Sequence, residues 1–487
     1  MAAEYLQCQS CHRKVISWKS RVVQQLDLGH RLQFPILMTH RLACDVRVIT
    51  MLWQRGLGNS STQLYQKLEE QHSQEHLRKL ALYLTECEGF CSSSLVVKPS
   101  FQKPPEKRPL PRPQWLLTAY CQDVMLRLDE VKASITSTFG RVLKMDSTKK
   151  MAKKLAGHGT GTAAWVTNVG NEQGQVLNSL LTASEGQGLT DLSRGLVRRY
   201  AQAGVPPPIV LYVDRDCCGQ SSTKQLFRDW PHLSICLDIW HFMRRFSAHP
   251  LYGTFMSRLS QAIFRWSSQD LEHLKQAKWA ELTCIELEGA SDYTVEEHIS
   301  KKELASHCRR QTRETEETTA NIQGLLKAFD GDHGCDTTGV PLFDTTRMWE
   351  VWDSQQRHVA CIQDMEGQQL YTRTGTKVKG GVPLPVYRCA RGSTSLESFH
   401  LHLNRFIPGT SASDLHFQAY LLEGLVRWNE DRANAALDVT ASKQELRSYS
   451  GPLRHATPQT DSAKQCLEPS YLQTLLSQGP TRENSSV

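Results

Sequence analysis

Pro208-Ile209-Val210-Leu211-Tyr212-Val213-Asp214-Arg215-Asp216-Cys217-Cys218-Gly219 is an apolar run that stops at carboxylates. Pro206, Pro207 and Pro208 interrupt whatever precedes it. Ile209 to Val213 are β-branched, aromatic or aliphatic without a break, the composition of a strand buried on both faces. Asp214 falls where that strand leaves its sheet, and open α/β sheets put their chemistry at the carboxyl ends of central strands. A turn-initiating aspartate has the same local signature. Other segments of the chain must separate the two readings.

Upstream, Arg141-Val142-Leu143-Lys144-Met145-Asp146-Ser147-Thr148 reads as a strand with Leu143 and Met145 on one face and Asp146 at its end. Two further strands are predicted over 163–169 and 174–181, joined by Gly170-Asn171-Glu172-Gln173-Gly174, a hairpin signal. Leu189, Leu192, Leu196 and Val197 then follow a helical period within 188–203. Downstream, 233–245 reads as a fifth strand running into a helix and contains Asp238-x-x-His241. The order is strand, strand, strand, helix, strand, strand, with carboxylates ending the first and fourth strands. Asp216 competes with Asp214, because strand alternation puts both on one face; Asp214 is preferred because it directly ends the apolar run.

Residues 250–385 begin helical, with Leu259, Ile263 and Trp266, and turn charged without strand signals, as an insertion or second helical subdomain would; Gly380-Gly381-Val382-Pro383 closes it. Phe399, Leu403 and Phe406 then follow a helical period that places Glu397 in a first turn. Thr394-x-x-Glu397 also has the form of a capping box. One more helix is predicted over 417–436, and the polar tail from Ser442 reads as disordered.

Cys8-Gln9-Ser10-Cys11 opens the chain, with His30, His40 and Cys44 as candidates for a second pair of zinc ligands. From Asp45, Val48, Ile49 and Leu52 form one apolar helical face, Gly56-Leu57-Gly58-Asn59-Ser60-Ser61 a turn, and Leu64, Tyr65, Leu68, Leu77, Leu80, Ala81 and Leu84 a second helix. This is the outline of a helix-turn-helix, whose second helix would present Gln63, Gln66 and Lys67 to DNA. The segment 97–114 is basic and proline-rich, which favours an extended spacer.

The chain has 487 residues, 39% apolar and 22% charged, enough for about two to four globular domains. Its net charge of +7 is compatible with nucleic acid but too weak to argue for it alone. No apolar run reaches membrane-spanning length and no secretory signal follows Met1, so the 15 cysteines read as reduced intracellular thiols.

Asp146 ending strand one, Asp214 ending strand four, and Glu397 on a helix after an insertion resemble the catalytic domain of cut-and-paste transposases of the DDE type. Asp238-x-x-His241 is similar to a signature shared by several eukaryotic transposase superfamilies, and the CxxC-plus-helical N-terminal region resembles transposase-derived proteins repeated in fish genomes.

The resemblance implies an α/β fold with a ribonuclease-H-like mixed sheet and a long, largely helical insertion, preceded by a small helical domain with a candidate zinc site. Its divisions fall at 1–44 (zinc-binding segment: Cys8, Cys11, His40, Cys44), 45–96 (helix-turn-helix-like module), 97–114 (linker), 115–246 (core, first part), 247–390 (insertion), 391–440 (core, C-terminal helices) and 441–487 (tail).

It implies a metal-dependent phosphodiester cleavage and strand-transfer core. Asp146, Asp214 and Glu397 would hold Mg2+ or Mn2+, and His241 would orient the site. Such clustered acids repel one another without metal, so at least one should have a raised pKa. Lys144, Lys149, Lys150, Lys153 and Lys154, with Gln63 and Lys67, are the candidate DNA contacts. Double-stranded DNA is the implied partner, the nucleus the implied compartment, with a homo-oligomer assembling on DNA and no membrane association. A domesticated, catalytically inactive DNA-binding or chromatin-associated protein and an unrelated metal-dependent nuclease are the competing expectations.

Overall fold

The computed structural model describes residues 5–436 apart from 17, 35, 40–41, 54–59, 94–99, 219–220, 247–251, 284–291, 336–337 and 342–343. The chain divides into two compact units, and the division falls between Glu130 and Val131 rather than within the proline-rich segment. The predicted tail and the turn at 56–59 lie outside the described residues.

In the first unit, Tyr5–Gln7 pairs antiparallel with Lys14–Ile16. Ile36–Met38 pairs with Ala43–Asp45, which leads into the helix Val46–Trp53. Helix α1, Ser61–Ser92, is a single rod of 32 residues. It contains the predicted second helix, read over Leu64 to Leu84, and carries it on to Ser92. Ser60 and Gln63 close a reciprocal capping box at its start. Helix α2, Pro113–Leu126, begins on a proline whose missing N–H costs nothing at that position. Leu37, Ile49, Leu52, Leu64, Leu116, Ala119 and Tyr120 are buried in this unit. The proline-rich segment is not a free spacer. It lies along α1, with Tyr83 Oη donating to Gln102 O at 2.6 Å and Lys107 Nζ to Ser73 Oγ at 3.0 Å.

The second unit is mixed α/β, built on a five-stranded mixed sheet. Its strands are β1 (Val142–Thr148), β2 (Trp165–Gly170), β3 (Val176–Thr182), β4 (Val210–Val213) and β5 (Ser234–Leu237), in the order β3-β2-β1-β4-β5. β1, β2 and β3 form an antiparallel meander; β4 and β5 run parallel to β1. Helix α3, Thr190–Ala203, makes the crossover from β3 to β4 and buries Leu192, Leu196 and Tyr200 in one core with Leu143, Met145, Leu211 and Val213.

Pleating sends alternate residues to the other face. There Val142, Val210, Tyr212 and Cys236 form a second cluster. Helix α4, Ile239–Arg244, follows β5 directly. Helices α5, Thr394–Phe406, and α6, Asp414–Asn434, end the unit. α6 is stitched to the start of β3, where Asn429 Nδ2 donates to Val176 O at 2.8 Å and Asn429 Oδ1 accepts from Val176 N at 2.7 Å.

The insertion is helical for much of its length, and its Phe255, Leu259, Ile322 and Trp352 share one core with Leu237 of β5 and Phe242 of α4. It also carries strands that the sequence reading missed. Phe264–Trp266 pairs with Arg310–Thr312, and Tyr371–Lys379 pairs with Val382–Cys389. Gly380 and Gly381, at φ 51° and 78°, form the turn of that second pair. They are a hairpin tip and not the end of the insertion. No described helix is long and apolar enough to cross a membrane.

Candidate metal centre

Parallel register levels the strand ends. Met145 pairs with Val213, and Val213 with Leu237, so Asp146, Asp214 and Asp238 follow at one height. Within β1, alternation turns Asp146 to the face opposite the α3 core that takes Met145, while Asp214 and Asp238 lie just beyond the ends of β4 and β5. β1 continues to Thr148, so Asp146 lies inside the strand, opposite Asn168 of β2, and not at its end as expected. Asp146 is 5% exposed. Its Oδ1 accepts from Ser147 N at 2.7 Å; its Oδ2 has no hydrogen-bond partner among the described residues.

Glu397 enters from α5. The structure gives that helix Ser393 as its N-cap residue, with no side-chain capping bond, so Glu397 is not spent on the predicted capping box. Glu397 Oε1 lies 3.6 Å from His241 Nε2, and ligand atoms of Asp146, His241 and Glu397 all fall within 4.8 Å of one another. Asp214 is half-buried and outside that trio. With Asp146, Ser147, Thr167 and Glu185 it lines an adjoining cleft of about 410 Å³. Asp216 is occupied elsewhere: at φ 60° it accepts from Ser222 Oγ and from Thr223 N at 3.1 Å, which removes it as a rival to Asp214.

The electrostatics follow from this crowding. Burial, then the charges of Asp214 and Glu397, push the Asp146 carboxyl up to about 7. His241 loses solvation on burial, yet hydrogen bonds to Asp238 and Glu397 outweigh that and raise it to about 10. The His241 bond in turn draws Glu397 below the usual carboxylate range. Asp238, fully buried, caps α4 by accepting from His241 N at 2.8 Å and holds His241 Nδ1 at 3.1 Å. The Asp-x-x-His spacing is therefore a capped first turn that aims an imidazole at Glu397.

Sequence reasoning missed His400, one turn beyond Glu397 on α5. Its Nδ1 stands 3.8 Å from Asp146 Oδ2 and 3.9 Å from Glu397 Oε2. Asn168 Nδ2 donates to its Nε2 at 3.0 Å, which leaves the ring proton on Nδ1, toward the carboxylates. Burial pulls His400 down to about 4. The Glu397-x-x-His400 spacing, which puts both on one helix face, was a signal available in the sequence.

Two of the five expected phosphate contacts are structural. Lys144 shares the pleat face of Asp146 and is 3% exposed; its Nζ donates to Ser395 Oγ at 3.1 Å, and burial lowers its pKa to about 8. Lys154 donates to the carbonyls of Asn404 and Ile407 at 2.6 and 2.9 Å, closing the end of α5. Lys149, Lys150 and Lys153 are exposed, with Lys149 Nζ 4.4 Å from the Trp165 ring centre. In the first unit Lys67 is exposed, while Gln63 is engaged in its capping box.

Cys8 and Cys11 sit in a tight turn, with Cys8 N donating to Arg13 O at 3.0 Å and His12 at φ 51°. Among the described residues they join no cluster of three metal-ligating side chains, and Cys44 is not brought to them. Burial pushes the Cys44 thiol up to about 11. His40 lies outside the described residues.

A protein-family profile described as a domain of unknown function, DUF6729, matches residues 1–125, a span that lies within the first unit. No curated protein and no solved structure matches the chain.

Proposed function

We propose that the second unit is a transposase-like core that cleaves phosphodiester bonds in double-stranded DNA and transfers the cut strand, in the manner of DDE enzymes. The observation that carries this reading is the convergence of Asp146, His241 and Glu397 within 4.8 Å, from segments more than ninety positions apart. The sheet supports it: a three-strand antiparallel meander flanked by two strands parallel to the first is the topology expected of a ribonuclease-H-like fold.

The donor set suits hard divalent cations such as Mg2+ or Mn2+, which prefer carboxylate oxygens. Asp146 Oδ2, buried without a donor, is an oxygen in need of a cation. Asp146 and Glu397 would hold the metal, with Asp214, which lines the adjoining cleft, as the further carboxylate ligand. Two such ions, when bound, stabilise the attacking and leaving oxygens of an in-line displacement. The remaining roles belong to this chain. Asp238 fixes the first turn of α4, His241 holds Glu397 ionised and oriented, and Asn168 fixes the His400 ring beside both carboxylates. Duplex DNA as partner, the nucleus as compartment and assembly as a homo-oligomer on DNA belong to the same proposal.

A supercoiled-plasmid nicking assay with Mg2+ or Mn2+ tests it. The parent chain is expected to nick and Asp214→Asn to lose at least a hundredfold in rate. An Asp214→Asn chain that nicks as fast as the parent removes the assignment. Salt-sensitive duplex binding without nicking by the parent would instead mark a domesticated DNA-binding protein.

A further inference from the structure

We propose that Cys217, Cys218, His358 and Cys361 form a structural zinc site that fastens the loop after β4 to the insertion. This rests on a different set of side chains from the carboxylate centre and stands independently of it.

The four side chains converge from two distant segments. Cys217 Sγ lies 3.7 Å from Cys218 Sγ and 3.3 Å from His358 Nδ1. Cys218 Sγ lies 3.1 Å from His358 Nδ1 and 3.1 Å from Cys361 Sγ. Ligand atoms of all four fall within 4.8 Å of one another. With Zn–S near 2.3 Å and Zn–N near 2.0–2.1 Å, a tetrahedron has edges of about 3.8 Å between sulfurs and about 3.5 Å between sulfur and nitrogen. The observed separations need to open by roughly 0.7 Å at most to meet that geometry. A Cys218–Cys361 disulfide would need its sulfurs at about 2.05 Å, would strand the third thiol and would give the imidazole no part. Three soft donors with one imidazole suit zinc and do not suit magnesium. Four protein ligands also leave no open position, the mark of a structural site.

The surroundings are built to hold the ligands. His358 and Cys361 are three apart across two short turns, Gln356–His358 and Ala360–Ile362, and the intervening Val359 and the following Ile362 are buried in the insertion core. Cys217 packs against both that core and the core under the sheet. Arg245 already bridges the same two segments, donating to Asp214 O at 2.7 Å and to the side chain of Gln355. Zinc would add a second tie three residues beyond Asp214. It would hold the turn that sets where that carboxylate points.

The test is metal content in the full chain, expressed with zinc and purified under reducing conditions. It is carried out in a Cys8→Ser background so that the N-terminal thiols do not confuse the count. Elemental analysis should give one zinc per chain, and Cys361→Ser should lose it. His358→Cys, which offers four thiolates, should keep the metal. Cobalt substitution should give the visible bands of tetrahedral thiolate coordination, and these should shift in His358→Cys. Should Cys361→Ser fail to fold, X-ray absorption on the parent decides: three sulfurs near 2.3 Å and one nitrogen near 2.0 Å support the site. Absence of zinc from the parent, zinc retained by Cys361→Ser, or a Cys218–Cys361 disulfide in the reduced preparation overturns it. A chain that never nicks DNA leaves it standing, because the readout is the metal itself.

Discussion

Ser393 donates its backbone N–H to Asp238 Oδ2, joining the end of β5 to the start of α5 across 155 positions of sequence. One contact thus sets the spacing between the His241 imidazole, which Asp238 orients, and Glu397, which α5 carries. The close approach depends on Gly392, at φ 74°, where an added Cβ would meet Asp238 Oδ2 at 2.7 Å. Gly392→Ala should therefore combine left-handed backbone strain with displacement of a buried carboxylate. A loss of about 2–3 kcal/mol of stability is expected in urea denaturation, with nicking reduced at least tenfold. A Gly392→Ala chain as stable as the parent would show that this junction is slack.

The pH dependence of metal-free stability gives a second expectation. Asp146 moves from 3.8 to about 7 on folding. Between those values the folded chain keeps a proton that the unfolded chain has released, so this group's contribution to stability falls as pH rises through that window. His400, lowered from 6.5 to about 4, has the opposite slope: its contribution is present above 6.5 and is lost as pH falls toward 4. The two slopes cancel over roughly pH 4–6.5. Above that range His241, raised from 6.5 to about 10, adds a contribution that is full below 6.5 and disappears as pH rises through 10. In the presence of chelator, stability should decline from pH 6.5 to 8, above which Lys144, lowered from 10.5 to about 8, has the opposite slope and offsets His241. Asp146→Asn should remove the first part and be more stable than the parent at pH 8, by up to about 4 kcal/mol at 1.4 kcal/mol per pH unit. Magnesium should stabilise the parent by mass action and leave the variant unmoved. Equal stabilities of parent and variant at pH 8 would mean that folding does not raise the Asp146 carboxyl.

What the sequence disclosed follows from how local each signal is. The strand bearing Asp146 and the Val210–Val213 run that precedes Asp214 were legible because apolar residues at strand spacing are a local pattern, although β1 runs past Asp146 to Thr148. The Tyr371–Lys379 strand was not, because most of its residues are exposed or half-exposed and no apolar alternation marks it. Its one signal was Gly380-Gly381, which fits a hairpin tip as well as a boundary. Lys144 and Lys149 look equivalent as charges in a row. Pleating turns the first inward beside Asp146, and the strand's end leaves the second in solvent. Cys217 and His358 stand 141 positions apart, and no spacing rule reaches that far. Local reading therefore singled out Asp146 and Glu397, which the fold brings together, and missed the cysteine cluster, although Asp214 and Cys217 are three residues apart on the chain.

The lysines after β1 supply the last expectation. If duplex DNA lies against the carboxylate centre, Lys149, Lys150 and Lys153 are exposed cations on the segment that leaves β1, while Lys144 and Lys154 are committed to Ser395 and to the end of α5. Each phosphate neutralised by a lysine contributes about 0.9 to the slope of log K against log salt. Replacing Lys149, Lys150 and Lys153 together by Gln should flatten that slope by about 2–3, measured by fluorescence anisotropy on a short duplex over a salt series. Thermal stability should hardly change, since exposed substitutions of this kind fall within about 0.5 kcal/mol each. Lys154→Gln should do the reverse, leaving the slope intact and costing about 1–3 kcal/mol, because the carbonyls of Asn404 and Ile407 lose their donor. An unchanged slope in the triple variant would put the DNA on another surface, and a flattened slope in Lys154→Gln would mean that its ammonium leaves those carbonyls to meet phosphate.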